Sequence, residues 1–160
     1  MQAVTILAVG KLKEGYLRDA AAEYQKRLSA FCKLKIIEID EERLPQDPSP
    51  ALIQKTLEAE GRRILAKIPT QAYVVPLCIE GRQLPSEKLA EKLEALATSG
   101  CSQIVFIIGG SHGLADAVKA RADFKLSMSE MTFPHQLARV MLLEQVYRAY
   151  SILTGTKYHK

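Results

Sequence analysis

The chain has 160 residues, 48% hydrophobic and 25% charged, with a formal net charge of +4. That length suits one domain spanning residues 1–160, which buries roughly two thirds of its unfolded surface. No apolar run approaches the roughly 20 residues that cross a bilayer, and Met1-Gln-Ala-Val-Thr-Ile6 has no basic leader, so a soluble, cytoplasmic protein is expected.

Val4-Thr-Ile-Leu-Ala-Val9, closed by Gly10, is the pattern of a strand buried on both faces and points to a parallel sheet. From Gly15 to Phe31, Leu17, Ala20, Ala21, Tyr24 and Leu28 recur at helical spacing. Leu34 to Ile39 predicts a second strand, and Asp40 to Pro50, acidic with three prolines, predicts a solvated loop. Leu52, Leu57, Ile64 and Leu65 predict a second helix, interrupted at Gly61 and stopped near Pro69. Ala72 to Ile79 reads as a third strand; Pro76 within it lacks a ladder donor, so a bulge, bend or sheet-edge position is expected. A helix from Ser86 through Leu89, Leu93 and Leu96 ends at Gly100, and Gln103 to Ile108 is the most hydrophobic strand. A short helix near Leu114 to Arg121 then precedes Phe124-Lys-Leu-Ser-Met128, whose alternation predicts a fifth strand. The last helix runs from His135 to Leu153, with Pro134 at its start and Gly155 just beyond.

Alternating strands and helices define an α/β fold with a mostly parallel sheet flanked by helices. Ligands in such folds gather outside the carboxyl ends of the strands, here Leu77 to Glu80, Gly109 to Gly113 and Met128 to Phe133. Cys32, Cys78 and Cys101 suit neither a disulfide framework nor a metal knuckle, and His112, His135 and His159 lack ligand spacing, so no metal is expected. Charge is uneven: Lys11 to Lys35 carries seven Lys/Arg against three acids, and Pro134 to Lys160 carries four against Glu144 alone. Basic ends fit a nucleic-acid partner without requiring one.

Three segments carry candidate chemistry. Gly109-Gly-Ser-His-Gly113 is neither a Rossmann fingerprint nor a P-loop; it is either a tight turn or a ligand loop. Met128-Ser-Glu-Met-Thr-Phe133 either finishes a strand, with Thr132 capping the next helix, or offers backbone groups and apolar side chains to a purine. Tyr158-His-Lys160 is either a frayed tail or a phenol, a proton-transfer group and a cation gathered at one place. Arg139, on a mostly apolar helix, is a paired structural ion or a phosphate contact. Glu144 and Arg148 form an i,i+4 pair that reads as local support. The apolar surface of the last helix is broader than one stripe, which fits either a central helix or a self-association surface.

Ile104 to Gly113, Leu126 to His135 and the terminal Tyr158-His159-Lys160, in this order, closely resemble the RlmH family of bacterial ribosomal RNA methyltransferases, SPOUT-class enzymes that use S-adenosylmethionine. The resemblance covers essentially the whole chain. It implies a C-terminal trefoil knot, a rare topology that the pattern itself does not reveal, and a homodimer. It also implies cofactor contacts from Leu77, Gly109, Met128, Ser129, Glu130, Met131, Thr132 and Phe133. Tyr158 and His159 are carried over as catalytic or substrate-positioning residues, with Arg139 and Lys160 as substrate contacts. The implied reaction is methylation of N3 of a pseudouridine in large-subunit (23S) ribosomal RNA, on the subunit or the assembled ribosome, with no metal. An imidazole, with an ordinary pKa of about 6.5, suits removal of the N3 proton near neutrality. Two other readings remain: methylation of a different RNA, and a non-catalytic ribosome-binding module.

Overall fold

The first apolar run becomes an interior strand because it has two faces to bury. In the computed structural model, which describes residues 1–160, β1 (Ala3–Val9) lies between β2 (Lys33–Ile39) and β4 (Gln103–Ile108). β3 (Tyr73–Arg82) pairs with the other side of β4, giving the order β2-β1-β4-β3 with every pairing parallel. Val4, Ile6, Ile104 and Phe106 point to one face, where α1 (Gly15–Leu28), α3 (Ser86–Thr98) and α5 (His135–Thr154) cover them. Leu7, Val9, Val105 and Ile107 point to the other, under α2 (Pro50–Ala66) and α4 (Asp116–Ala120). Each fully buried Leu, Ile or Phe in these layers contributes about 1.5–3 kcal/mol of transfer free energy.

α5 is sandwiched between α1 and α3, and Val140, Leu142, Leu143, Val146, Ala149 and Tyr150 are all buried within the one chain. The breadth of its apolar surface therefore has its cause inside the monomer. The helix stops at Gly155, which takes a left-handed φ of 74° as the sequence expects.

Pro76 sits where the edge reading puts it. β3 is an outer strand, and its ladder with β4 ends at the pair Pro76–Ile107. Two expectations are corrected. Gly61 does not interrupt α2, which is continuous; a Cβ at Gly61 would lie 3.0 Å from that of Ala115, so the glycine admits the close approach of the segment leading into α4. Phe124 to Met128 is not a fifth strand. Asp123 and Phe124 both donate to Val74 O, and Leu126 alone forms isolated bridges, to Leu77 and to Arg82. Leu77 and Arg82 both pair with Leu126, so β3 bulges between them and offers no residue-by-residue ladder; the segment packs against β3 at Gly81, where a Cβ would lie 2.7 Å from the Leu126 carbonyl carbon.

Candidate active site

The carboxyl ends of β3 and β4 open on a cavity of about 600 Å³, within the roughly 300–1,000 Å³ range of small-molecule sites. Seven of the eight cofactor candidates line it: Leu77, Gly109, Met128, Ser129, Met131, Thr132 and Phe133. Glu130 is exposed and does not. Cys78 and Ile79, inside the expected strand end, also line it without having been named as contacts, and sequence reasoning assigned no role there to His135 or Ala138, which line it too. The signal for them was position: the first two follow Leu77 on its strand, and the others occupy the first turn of the helix that the loop enters.

Both candidate loops are held by their own backbones. Gly113 takes a φ of +85° and donates to Gly110 O at 3.1 Å, folding the chain back over Gly109. A Cβ on Gly109 would stand 2.7 Å from the Gly113 carbonyl carbon, so the turn requires this glycine whatever ligand binds. The turn is present, and it lies on the cavity wall. In the second loop the buried Ser127 hydroxyl donates to Ser129 O at 3.1 Å, and Ser129 Oγ accepts from Met131 N–H at 3.0 Å. These bonds set the segment in a defined bend that leaves Met131 77% exposed at the cavity mouth, on the same rim as Ile79 at 75%.

The lining fits S-adenosylmethionine. It offers apolar faces to a purine and glycine backbone for its edges, and it contains no Asp, Glu, Lys or Arg. A sulfonium would meet no cation there. By the same fact, no carboxylate in this cavity is available to deprotonate a substrate. Burial pushes the Cys78 thiol above its usual range, which suits a neutral wall rather than a nucleophile.

The tail does not line this cavity. The Tyr158 hydroxyl donates to Glu144 Oε1 at 3.2 Å and lies 3.4 Å from the Tyr24 hydroxyl, while its ring meets Tyr147 edge-on at 4.7 Å. Burial, the Tyr24 contact and the nearby Glu144 push the phenol well above its ordinary pKa. His159 lies between Glu87 at 2.7 Å and Arg148 at 3.0 Å. Lys160 is exposed. Glu144 and Arg148 do form their i,i+4 ion pair, and beyond local support they anchor the tail. Tyr24 and Glu144 line a second cavity of about 490 Å³, which shares Ser127 and Met128 with the first. The two cavities meet at that pair of residues.

Of the two roles open to Arg139, the geometry fills the structural one. The residue is 4% exposed; Nη1 donates to Glu38 at 2.7 Å and Nη2 to Gly10 O at 2.9 Å, leaving Nε without a partner.

Comparison with known proteins agrees with this geometry. The family model described as predicted SPOUT methyltransferase matches residues 1–159. A protein of Bifidobacterium adolescentis named ribosomal RNA large subunit methyltransferase H is 54% identical over 157 residues, covering 98% of this chain and 99% of its own. One of the same name from Leuconostoc mesenteroides is 50% identical over 157 residues with the same coverage. Among solved structures, a probable methylase family protein from Haemophilus influenzae superposes with a TM-score of 0.55 at 13% identity, over 98% of this chain and 70% of that one, a likeness of fold alone. With a parallel sheet whose strand ends carry a glycine-framed cavity, and a match along nearly its whole length, the chain belongs to the SPOUT methyltransferases and, within them, to the RlmH family.

Proposed function

We propose that this chain transfers a methyl group from S-adenosylmethionine to N3 of a pseudouridine in large-subunit ribosomal RNA. The observation that carries the reading is the cavity at the ends of β3 and β4, walled by Leu77, the Gly109 turn and the Met128–Phe133 loop. Its neutral, partly apolar lining suits the cofactor, and relatives of half-identical sequence carry a name that specifies this class of reaction.

Bound there, S-adenosylmethionine would supply a methyl group already activated on a sulfonium. The protein's share is alignment and proton removal. Leu77, Met128 and Phe133 would hold the purine, with the Gly109–Gly113 backbone at its edge. His159 takes the N3 proton, and Tyr158, held by Glu144 and Tyr147, fixes the tail that carries it. The target base lies between the tail and the cofactor, where Ser127 and Met128 line both cavities. Lys160, exposed at the terminus, meets a phosphate. The trefoil knot, the homodimer and action in the cytoplasm belong to the same reading.

Incubation with ribosomes and, separately, with free RNA, followed by mass spectrometric mapping of the methylated nucleotide, tests this. N3-methylpseudouridine in large-subunit RNA is expected. A methyl group on another RNA would reassign the substrate. No methylation, together with no heat of binding for S-adenosylmethionine, would leave a ribosome-binding module.

A further inference from the structure

His159 is gripped by charged side chains from two helices. Its Nε2 lies 2.7 Å from Glu87 Oε1, in the first turn of α3, and its Nδ1 lies 3.0 Å from Arg148 Nη1 on α5. A guanidinium has donors only, so Nδ1 accepts. The ring proton is therefore on Nε2, and Glu87 receives it. Arg148 is itself fixed: its Nε donates to Glu144 Oε1 at 2.8 Å, and Nη2 makes a second contact with the same oxygen. That oxygen also accepts from Tyr158, with Tyr24 of α1 at 3.4 Å from the phenol. The charged and titratable groups around the imidazole are thus Glu87 from α3, Arg148 and Glu144 from α5, and Tyr158, backed by Tyr24.

We propose that Glu87 is the positioning residue of the methyl-transfer site, holding His159 through Nε2–H so that Nδ1 is the atom that takes the N3 proton. The proposal rests on the tail being the proton-handling element. In the free protein the Arg148 N–H occupies the donor position that the N3–H of the base fills. The imidazole turns off Arg148 by pivoting on its Nε2–H bond to Glu87, while Arg148 keeps both contacts to Glu144, so no charge is stranded. The N3–H bond then breaks with the proton passing to Nδ1, the nitrogen pair forms the bond to the methyl carbon, and the carbon–sulfur pair returns to sulfur as a neutral thioether. A carboxylate on the far nitrogen orients the ring and stabilises the imidazolium as it forms, as in other carboxylate–histidine pairs. Glu87 is kept ionised for this: its own backbone N–H and the imidazole hold its carboxyl below the usual range.

The test is Glu87→Gln, which keeps an acceptor oxygen and the shape but removes the charge. With ribosomes as substrate, kcat is expected to fall about 10- to 100-fold, while KM, cofactor affinity and the thermal midpoint stay unchanged. The rising limb of the pH–rate profile should move to lower pH, because a neutral partner no longer favours the imidazolium. In a His159→Ala background, Glu87→Gln should cause no further loss. If His159→Ala methylates at the full rate, the tail reading fails and takes this proposal with it. If His159→Ala is slow but Glu87→Gln is fast with an unmoved pH profile, the Glu87 proposal alone is overturned. An equal further loss from Glu87→Gln in the His159→Ala background overturns it as well.

Discussion

Arg139 and Glu38 stand 101 residues apart in the chain and 2.7 Å apart in the fold. The pair, together with the bond from Arg139 to Gly10 O, ties the first turns of α5 to the ends of β1 and β2. Arg139→Met should therefore destabilise the protein by about 2 kcal/mol, the scale of lost hydrogen bonds to a charged group. Glu38→Gln keeps an acceptor oxygen for the buried guanidinium and removes only its counter-charge, so it should lose less, about 1 kcal/mol. Denaturant titration measures both. An unchanged midpoint in Arg139→Met, with a raised KM for ribosomes, would give the guanidinium to phosphate instead.

Gly109 and Gly110 are neighbours with opposite tolerance. A Cβ at Gly109 runs into the Gly113 carbonyl group, whereas one at Gly110 meets Val9 Cγ1 at 3.4 Å, an ordinary contact. Gly109→Ala should open the turn and weaken S-adenosylmethionine binding by about tenfold or more, roughly 1.4 kcal/mol, while Gly110→Ala stays within about twofold. Calorimetry on the two variants compares them directly. Equal affinities would remove the turn from the binding site.

The contrast also marks what could be read from the chain. Local rules reach local features. β4 runs from Gln103 to Ile108 as expected, Pro134 and Gly155 bracket α5, and Pro76 sits at the sheet edge. The cavity wall was legible because strand ends and the loops after them are contiguous in sequence. Phe124 to Met128 alternates like a strand, but alternation does not show that the edge it meets is regular, and β3 bulges between Leu77 and Arg82. Gly61 was misread because its partner, Ala115, is 54 positions away. For the same reason nothing near Tyr158 announced Glu87, 72 residues from His159. Arg148 and Glu144 were seen as a pair, but their hold on the tail exists only once α5 ends and the chain turns back.

Glu60 is a buried carboxylate facing Glu41 and Glu42, with the Glu42 N–H donating to it at 3.0 Å. Burial, and then its acidic neighbours, raise its pKa against the effect of that hydrogen bond. The folded state therefore favours the protonated form, and stability is lost as pH rises from the ordinary carboxylate range through the raised value. Glu60→Gln keeps the acceptor without the charge. Its thermal midpoint should exceed that of the parent at pH 7 by roughly 2–4 °C, the shift for about 1 kcal/mol in a chain of this size. The gain should vanish near pH 4. A gain that persisted in acid would mean that packing, not charge, is responsible.

Deleting Tyr158 to Lys160 removes an edge-on aromatic contact with Tyr147 but no part of the cofactor cavity wall. S-adenosylmethionine affinity should stay within about twofold, and methylation of ribosomes should fall on the order of 100-fold. Single-turnover assays with saturating cofactor separate the two. Full-rate methylation by the truncated protein would make the tail a structural strap and nothing more.

The strand order has a consequence for how the chain is made. β1 and β2 are complete once residue 39 has been synthesised, but the other edge of β1 belongs to β4, which ends at residue 108. At about 5–20 residues per second, that hydrogen-bonding edge waits on the order of several seconds at the exit of the ribosome, apolar on both faces. A bare strand edge is a template for foreign strands. The lysines of β2 are already in place and the acidic stretch after it emerges early in this interval, charges of the kind that discourage edge-to-edge pairing of a half-built sheet.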